Sequence, residues 1–372
     1  MHEISSITDA ERLDRLRLLR SENVGPVTWR QLMEAYGSAT SALEALPELA
    51  RRGGRKKPYR ICNKSVAEDE WTATEAIGAR LISIGEPNYP VALAATSDAP
   101  PVMTIKGHAH LLNKRTVGMV GARNASASGI RFARQIALEL GGKELVVASG
   151  LARGIDAAAH EGSMKTGTVA VVAGGIDVVY PPEHQDLYEQ IIDAGVVVAE
   201  QPVGTKPQGR HFPRRNRVIS GLSLGVLVIE AAKKSGSLIT ARVANEQGRE
   251  VMAVPGSPLD PRCRGSNDLI RQGARLVETV DDVIDALGGM IPPTAHEPEP
   301  DLFSAAKPAR PTDQELENAR NLIQEKLGPT PTPIDELIRQ CHLTAAMVFT
   351  ILLELELAGR LERHPGNQVS IL

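Results

Sequence analysis

The sequence lacks several features that would place it in a familiar class. Its three cysteines, Cys62, Cys263 and Cys341, are widely spaced and form no CxxC pair, which argues against a disulfide framework and against a zinc cluster. No uncharged apolar run reaches the roughly 18 residues of a membrane span, and the N-terminus is polar and charged. We therefore expect neither export nor membrane insertion, and a reducing cytoplasm as the compartment.

Two nucleotide-binding fingerprints are also missing. A dinucleotide site needs GxGxxG on its first turn, but the corresponding segment reads Gly118-Met-Val-Gly121-Ala-Arg, and no P-loop pattern occurs. The formal net charge of -3 argues against a protein that coats nucleic acid indiscriminately. We expect no cofactor, no metal and no catalytic residue, and any affinity for a polyanion must come from local clusters of basic residues.

One such cluster is present between residues 210 and 217. It places four arginines around Phe212, shortly before the apolar run Leu224–Ile229. A short continuous apolar run is typical of a strand that is buried on both faces of a parallel sheet. The basic stretch is therefore interpreted as a loop between buried strands. An ordinary solvated surface is the alternative for each arginine taken singly.

The central part of the chain repeats a strand, turn and helix pattern. Each apolar run is followed by glycine, proline or charge, and helical spacing of apolar residues follows several of them. The six runs are 117–120, 145–148, 169–173, 196–199, 226–229 and 251–254. This alternation predicts an α/β fold with a Rossmann-like, doubly wound parallel sheet. Two earlier strands, 81–84 and 102–106, are predicted to lead into it.

Polar residues follow these strands at their carboxyl ends, where such sheets bind ligands. Glycines let backbone N–H groups approach an anion, and helix N-termini add partial positive charge, so phosphate is the expected ligand. The candidate phosphate- or DNA-binding residues are Gly121, Arg123, Ser126, Ser149, Gly150, Arg153, Arg210, Phe212, Arg214, Arg215, Asn216, Arg217, Ser235, Gly236 and Ser237. A tight strand-to-helix turn is the alternative for each glycine alone.

The remaining segments divide the chain into four predicted parts. Residues 1–76 form an N-terminal helical domain, in which the turn 23–27 is compatible with a SAM-like or helix-hairpin-helix element or with a plain helical cap. Residues 77–287 contain the extended sheet. Residues 288–312 are rich in proline, alanine and glutamate without periodicity, which is typical of a disordered linker. Residues 313–372 follow the order of a winged helix.

Four acidic or titratable residues leave alternatives open. The recognition helix of the winged helix carries Glu354 and Glu356 without lysine or arginine, which favours protein contact over DNA contact. His160, four residues after Asp156, is either a general base or a member of a structural hydrogen-bonding pair with that aspartate. Glu230 at a strand end is either a catalytic carboxylate or a satisfied structural acid.

Several motifs, taken together, resemble the DprA/Smf family of DNA-processing proteins across about residues 78–287. They are Gly121-Ala-Arg-Asn-Ala-Ser, Ser149-Gly-Leu-Ala-Arg-Gly-Ile-Asp-Ala-Ala-Ala-His, Gly174-Gly-Ile-Asp-Val-Val-Tyr-Pro, Phe212-Pro-Arg-Arg-Asn-Arg-Val-Ile-Ser-Gly-Leu, Glu230-Ala-Ala-Lys-Lys-Ser-Gly-Ser-Leu-Ile-Thr-Ala and Val254-Pro-Gly. The helical N-terminus and winged-helix tail also agree with the layout of that family.

The resemblance implies a single-stranded DNA-binding protein that dimerises through its Rossmann-like domain and helps load the RecA recombinase during natural transformation. By motif, Arg123 and residues 212–217 would line the pocket for the strand, with Phe212 stacking on a base. The helix 265–274 would contribute to the dimer. The alternative is a phosphoribohydrolase-like enzyme of the lysine-decarboxylase-like Rossmann group, for which Glu230 would be the carboxylate to test.

Overall fold

A computed structural model describes residues 7–288, 313–364 and 366–372. The chain divides into two compact units, one formed by the segments before Asp69 and after His296 and the other by the residues between them. The predicted linker 288–312 lies outside the described residues except for Gly288. Within the described ranges no single helix has the length and apolar composition of a membrane span. Ile334–Cys341 and Ala345–Leu357 reach it only together, and they are bent by 119° at their junction.

The chain begins with a small helical domain. Its helices are α1 (Asp9–Arg20), α2 (Pro26–Tyr36), α3 (Ala39–Arg52) and α4 (Lys64–Ala76). Thr8 caps α1 by accepting the N–H of Glu11, and Pro26 occupies the first position of α2, where its missing N–H costs nothing. The predicted break at 23–27 is therefore the turn between α1 and α2.

A mixed, mainly parallel sheet forms the centre of the second unit. Its nine strands in the described part of the chain are β1 (Arg80–Ser83), β2 (Val102–Gly107), β3 (Thr116–Gly121), β4 (Val146–Ser149), β5 (Thr168–Gly175), β6 (Val196–Gln201), β7 (Gly225–Ile229), β8 (Glu250–Ala253) and β9 (Arg275–Leu276). They are ordered β1-β2-β6-β5-β4-β3-β7-β8-β9. The β1–β2 and β2–β6 pairings are antiparallel, and those from β6 to β9 are parallel.

Helices cover both faces of this sheet. They are α5 (Val91–Ala94), α6 (Ala127–Gly142), α7 (Ile155–Ser163), α8 (Gln185–Ala194), α9 (His211–Leu222), α10 (Gly236–Glu246), α11 (Arg264–Arg271) and α12 (Val280–Leu287). In strand β7 the apolar residues do not alternate with polar ones, because each face of the strand packs against a core. Val226 and Val228 belong to the core on one face, whereas Leu227 and Ile229 belong to the core on the other. Both faces are buried, so both sets of side chains are apolar.

The winged helix completes the first unit. It consists of α13 (Asp313–Lys326), β10 (Thr332–Pro333), α14 (Ile334–Cys341), α15 (Ala345–Leu357), β11 (Leu361–His364) and β12 (Gln368–Ile371), with its strands ordered β10-β12-β11. The predicted three-part architecture of helical domain, Rossmann-like sheet and winged helix is confirmed.

Candidate functional site

The strand order reverses between β3 and β7, and a crevice of about 550 Å³ opens beside this point. Successive strands are wound outward in opposite directions from it, so the connections after β3 and β7 separate and leave room for a ligand. Eight of the predicted residues line the crevice: Gly121, Arg123, Phe212, Arg215, Asn216, Ser235, Gly236 and Ser237. Gly150 and Arg153 line a neighbouring notch of about 60 Å³, which shares Arg123, Phe212 and Arg215 with the crevice.

The arginine run is a helix, so its interpretation as a loop is wrong. Helix α9 begins at His211, and Arg210 immediately precedes it. Helical geometry turns successive side chains about 100° apart, so the arginines have different surroundings. Arg210 and Arg214 are exposed, whereas Arg215 and Arg217 are only 6% and 9% exposed. The run is therefore not a uniform charged surface.

Arg215 forms a buried, incompletely paired cation in the crevice wall. The closest approach of its guanidinium to a carboxylate is 3.9 Å, from Nη1 to Oδ2 of Asp156. Its Nε has no hydrogen-bond partner among the described residues. Burial lowers the pKa of Arg215, and the Asp156 carboxylate opposes that shift. A buried charge without a close partner is costly, so an anion in the crevice would stabilise Arg215.

Glycine at position 150 is what allows Arg215 to occupy this place. A Cβ added to Gly150 would lie 1.4 Å from Nη1 of Arg215. The same turn is held by Asp156, whose Oδ2 accepts the N–H groups of Gly150 at 3.2 Å and Ala152 at 3.4 Å. Burial raises the pKa of Asp156, while Arg215 and the two amides oppose that shift. The turn after β4 thus supports the arginine.

His160 has a structural role, with partners other than the expected aspartate. Its Nε2 lies 3.3 Å from the N–H of Leu151, and its Nδ1 lies 2.7 Å from Oγ1 of Thr168. Thr168 donates its own hydroxyl proton to the carbonyl of Val147, which makes Nδ1 the protonated nitrogen. Burial lowers the pKa of His160 to about 3. The imidazole is therefore neutral and shapes the turn after β4.

Phe212 is covered by a cation on one side and meets an aromatic ring at its edge. The Cζ atom of Arg123 lies 5.2 Å from the centroid of the Phe212 ring. The Tyr180 ring packs edge-on at 5.8 Å between centroids, with 63° between planes. Tyr180 is 48% exposed. Tyr180 is not among the ligands predicted from the sequence, although its place in a turn after β5 is a usable signal.

The N-terminus of α10 forms the opposite wall of the crevice. Ser235 caps the helix, accepting the N–H of Ser237 at 3.3 Å, and the two hydroxyls lie 2.6 Å apart. Lys234 and Arg262 also line the crevice, and sequence reasoning missed both. Lys234 belongs to the motif that begins at Glu230. Arg262 comes from a separate turn after β8, and only the fold brings it close to the crevice. Dipole and basic side chains both favour an anion here.

Other predicted residues are engaged in the scaffold. The Ser149 hydroxyl is fully buried and donates to the carbonyl of Met119 at 2.6 Å. Arg217 donates to Glu200 and to the carbonyl of Asp98. Arg153 is paired with Glu183 at the rim of the notch. These three side chains are already occupied by protein partners.

Glu230 anchors the start of α6. Its carboxylate accepts the N–H of Ser126 at 2.8 Å and also the Ser126 hydroxyl, while that hydroxyl oxygen accepts the N–H of Gly129 at 2.9 Å. Glu230 is only 9% exposed. This network gives both Glu230 and the predicted ligand Ser126 a structural role. In the described part of the chain, no group of three or more histidine, cysteine, aspartate or glutamate residues is placed to hold a metal ion.

Comparisons with known proteins cover all three parts of the chain. A family model described as DNA recombination-mediator protein A matches residues 80–288. A model of a DprA-like N-terminal HHH domain matches residues 9–73, and one of a DprA winged helix domain matches residues 307–367.

Individual relatives agree with these models. Protein Smf of Escherichia coli is 37% identical over 286 residues, covering 76% of this chain and 75% of that protein. The X-ray structure of DprA from Streptococcus pneumoniae aligns with a TM-score of 0.62 and 33% identity, covering 75% of this chain and 98% of that one. A structure of DNA processing protein A from Helicobacter pylori, reported for its single-stranded DNA binding mode, aligns with a TM-score of 0.51 and 26% identity over 56% and 95%.

Proposed function

The chain belongs to the DprA/Smf family of DNA-processing proteins, and on that premise we propose that it binds single-stranded DNA in the crevice and acts in the cytoplasm as a recombination mediator. It protects incoming strands and helps load RecA onto them during natural transformation. The proposed ligand is a polymer. The crevice does not close around a small molecule but continues into the notch, across a ridge formed by Arg123 and Phe212.

The observation that carries the proposal is the environment of Arg215. A cation that is 6% exposed, with a free Nε and a carboxylate no closer than 3.9 Å, lines a crevice that Lys234 and Arg262 also face. Arginine presents several donors in a planar fork that matches phosphate oxygens. A DNA phosphate in the crevice would offset the underpaired charge of Arg215 and would meet the partial positive charge at the start of α10.

The ridge between the two concavities supports the choice of single strands. Arg123 and Phe212 line both concavities, and Tyr180 lines the notch beyond them. A DNA strand that crosses this ridge turns its bases toward the guanidinium and the aromatic rings. Stacking on such groups contributes about 1–3 kcal/mol of binding free energy per base. Bases in a duplex are already stacked and paired, so they gain nothing from the ridge without first being opened.

A salt series of binding measurements tests this function. We expect tight binding of a single-stranded oligonucleotide, with log K falling by about 0.7 per decade of salt for each phosphate neutralised. A duplex of the same sequence should bind more weakly at every salt concentration. Binding that is independent of salt, or a preference for duplex, would contradict the proposal.

Two partners complete the proposal. The dimer would form at α11 and β9, where β9 is the last strand of the sheet in the described part of the chain and Leu276 is 47% exposed. An edge strand with an exposed apolar side chain gains by pairing with a second copy. RecA loading rests on family membership, and it is tested by following RecA assembly on a single-stranded oligonucleotide with and without this chain. No acceleration would remove RecA loading from the proposal.

A further inference from the structure

Helix α15 is apolar on more sides than a recognition helix requires. Val348, Ile351, Leu352 and Leu355 fill the core of the winged helix. Leu353 and Leu357 point elsewhere, and they are only 6% and 0% exposed. Buried apolar side chains that lie outside the core of the winged helix need another partner, so a second layer must cover these two leucines.

That second layer is the N-terminal helical domain. Leu353 and Leu357 belong to the same hydrophobic core as Leu18, Leu43 and Leu46 from α1 and α3. The C-terminal half of α15, which carries these two leucines, is therefore unavailable to DNA. The N-terminal half exposes Ala345, Ala346 and Phe349, whose side chains offer no hydrogen-bonding group to bases or phosphates.

Two backbone N–H groups of the turn between α1 and α2 are also engaged within the protein. In a helix-hairpin-helix element, backbone N–H groups of this turn would meet a DNA phosphate. Here the N–H of Glu22 donates to the carbonyl of Arg60 at 3.2 Å, and that of Val24 donates to the carbonyl of Ser21 at 3.3 Å. The side-chain amide of Asn23 donates to the carbonyl of Leu357, at the end of α15, at 3.2 Å.

Polar contacts extend the joint on both sides of the leucines. Nη1 of Arg360 donates to the carbonyl of Gly53 at 3.3 Å, and Nη2 of Arg363 donates to Oε1 of Gln31 at 3.3 Å. The fit is closest at Gly53, where an added Cβ would lie 2.0 Å from the carbonyl oxygen of Glu354. Close-packed surfaces with matched hydrogen bonds are typical of a permanent interface.

We infer that the turn of the helical domain and the recognition helix of the winged helix are each other's binding partner. They form a terminal clasp, defined here as α1–α3 packed on α15 and the start of β11, which joins the two ends of the chain. Neither element binds DNA. This inference is independent of the function proposed for the crevice.

The variant that tests the clasp is Gly53→Leu. Gly53 has a right-handed helical backbone, with φ -69° and ψ -1°, so leucine is compatible with the helical domain itself. Its side chain would collide with α15. Overpacking of this kind costs about 1–3 kcal/mol, which weakens the joint by about 5-fold to 150-fold. Gly25→Leu is the matched control, because an added Cβ there has no atom within 4 Å and the backbone is extended.

The experiment uses the full chain with a protease site inserted between residues 289 and 312. After cleavage, the C-terminal piece of the wild type and of Gly25→Leu should remain bound during size-exclusion chromatography. The piece should leave the Gly53→Leu protein. Release from the wild type, or full retention in Gly53→Leu, would overturn the clasp. Gly53→Ala, whose Cβ alone meets the same carbonyl, replaces the leucine variant if circular dichroism shows that the latter is unfolded.

Duplex binding by the uncut proteins tests the second half of the inference. The affinity for a duplex oligonucleotide, measured by fluorescence anisotropy, should be the same for Gly53→Leu, Gly25→Leu and the wild type. A gain in duplex affinity on opening the clasp would show that it hides a DNA-binding surface, and would refute the statement that neither element binds DNA.

Discussion

The guanidinium of Arg123 lies over the ring of Phe212, with Cζ 5.2 Å from the ring centroid. One face of the aromatic is thus covered by a cation before any ligand arrives. A planar guanidinium stacks on a ring with one face and on a base with the other, whereas an ammonium has no plane. The stacking surface for a base is therefore the Arg123 and Phe212 pair, and both members should contribute.

Replacing Arg123 by lysine keeps the charge and removes the plane. We expect Arg123→Lys to weaken binding of a single-stranded oligonucleotide by about tenfold, which corresponds to about 1.4 kcal/mol of stacking. The slope of log K against log salt should not change, because the number of cations is the same. Anisotropy titrations at four salt concentrations measure both quantities.

Phe212→Ala should produce a similar loss of affinity, again with an unchanged salt slope, because no charge is removed. Phe349→Ala is the matched control, since Phe349 is the exposed aromatic of α15 and lies outside the crevice. Unchanged affinity in Phe212→Ala would leave charge attraction as the whole explanation and would remove stacking from the mechanism.

Gly150→Ala should displace Arg215 without changing any charge. The added Cβ would lie 1.4 Å from Nη1 of Arg215, so the guanidinium must leave its position. We expect at least about a tenfold loss of affinity for single strands and about 1–3 kcal/mol loss of stability from overpacking. Urea unfolding and binding titrations measure the two effects. Gly142→Ala, where an added Cβ meets open space at the end of α6, should leave the affinity unchanged and should not destabilise the protein.

Lys234 and Arg262 should each contribute one phosphate contact, for which the guanidinium of Arg262 must exchange its Asp260 partner at 2.7 Å for phosphate. Lys234→Gln and Arg262→Gln are expected to reduce the salt slope by about 0.7 each, and to weaken binding to all sequences alike. Lys165→Gln removes an exposed charge just before β5, at the opposite edge of the sheet, and should leave the slope unchanged. A slope that stays constant in both crevice variants would place the strand elsewhere.

His160 should make stability depend on pH. Its pKa is lowered to about 3 in the folded protein, whereas the unfolded value is about 6.5. Between these values the unfolded chain binds more protons, so stability falls as the pH falls. This residue should remove about 2 kcal/mol between pH 6.5 and pH 5. His160→Gln should lose that part of the dependence in urea melts at the two pH values. An identical dependence in both proteins would mean that His160 is not buried and neutral.

The dimer proposal predicts a change of oligomeric state at the sheet edge. Leu276→Asp places a charge on β9 and should yield monomers by light scattering at concentrations where the wild type is dimeric. Leu259→Asp is the control, because Leu259 is an exposed apolar residue, 88% accessible, in the loop before α11. A monomeric wild type would contradict the dimer proposal and would leave the proposal of DNA binding in the crevice unaffected.

The sequence by itself determined the sheet and the family. Runs such as 117–120 and 226–229 are apolar without alternation, and only a strand that is covered on both faces needs this composition. The glycine and serine turns after them identified the carboxyl edge of the sheet, since close backbone approach and helix starts leave local signals. That the recognition helix contacts protein and not DNA stays a prediction, because Glu354 is fully buried and its carboxylate accepts from Arg320, so its charge is not presented to a ligand.

Only the tertiary structure decided which of these side chains are available to a ligand. Arg214 and Arg215 are neighbours in sequence, yet one is exposed and the other is buried beside Asp156, because helical rotation and the turn after β4 assign their surroundings. Arg262 reaches the crevice from a distant segment, and no local pattern encodes that approach. The same reason applies to Leu353 and Leu357, whose burial depends on helices more than 300 residues earlier in the chain. Such long-range contacts depend on the whole fold, and no local pattern in a single sequence predicts them.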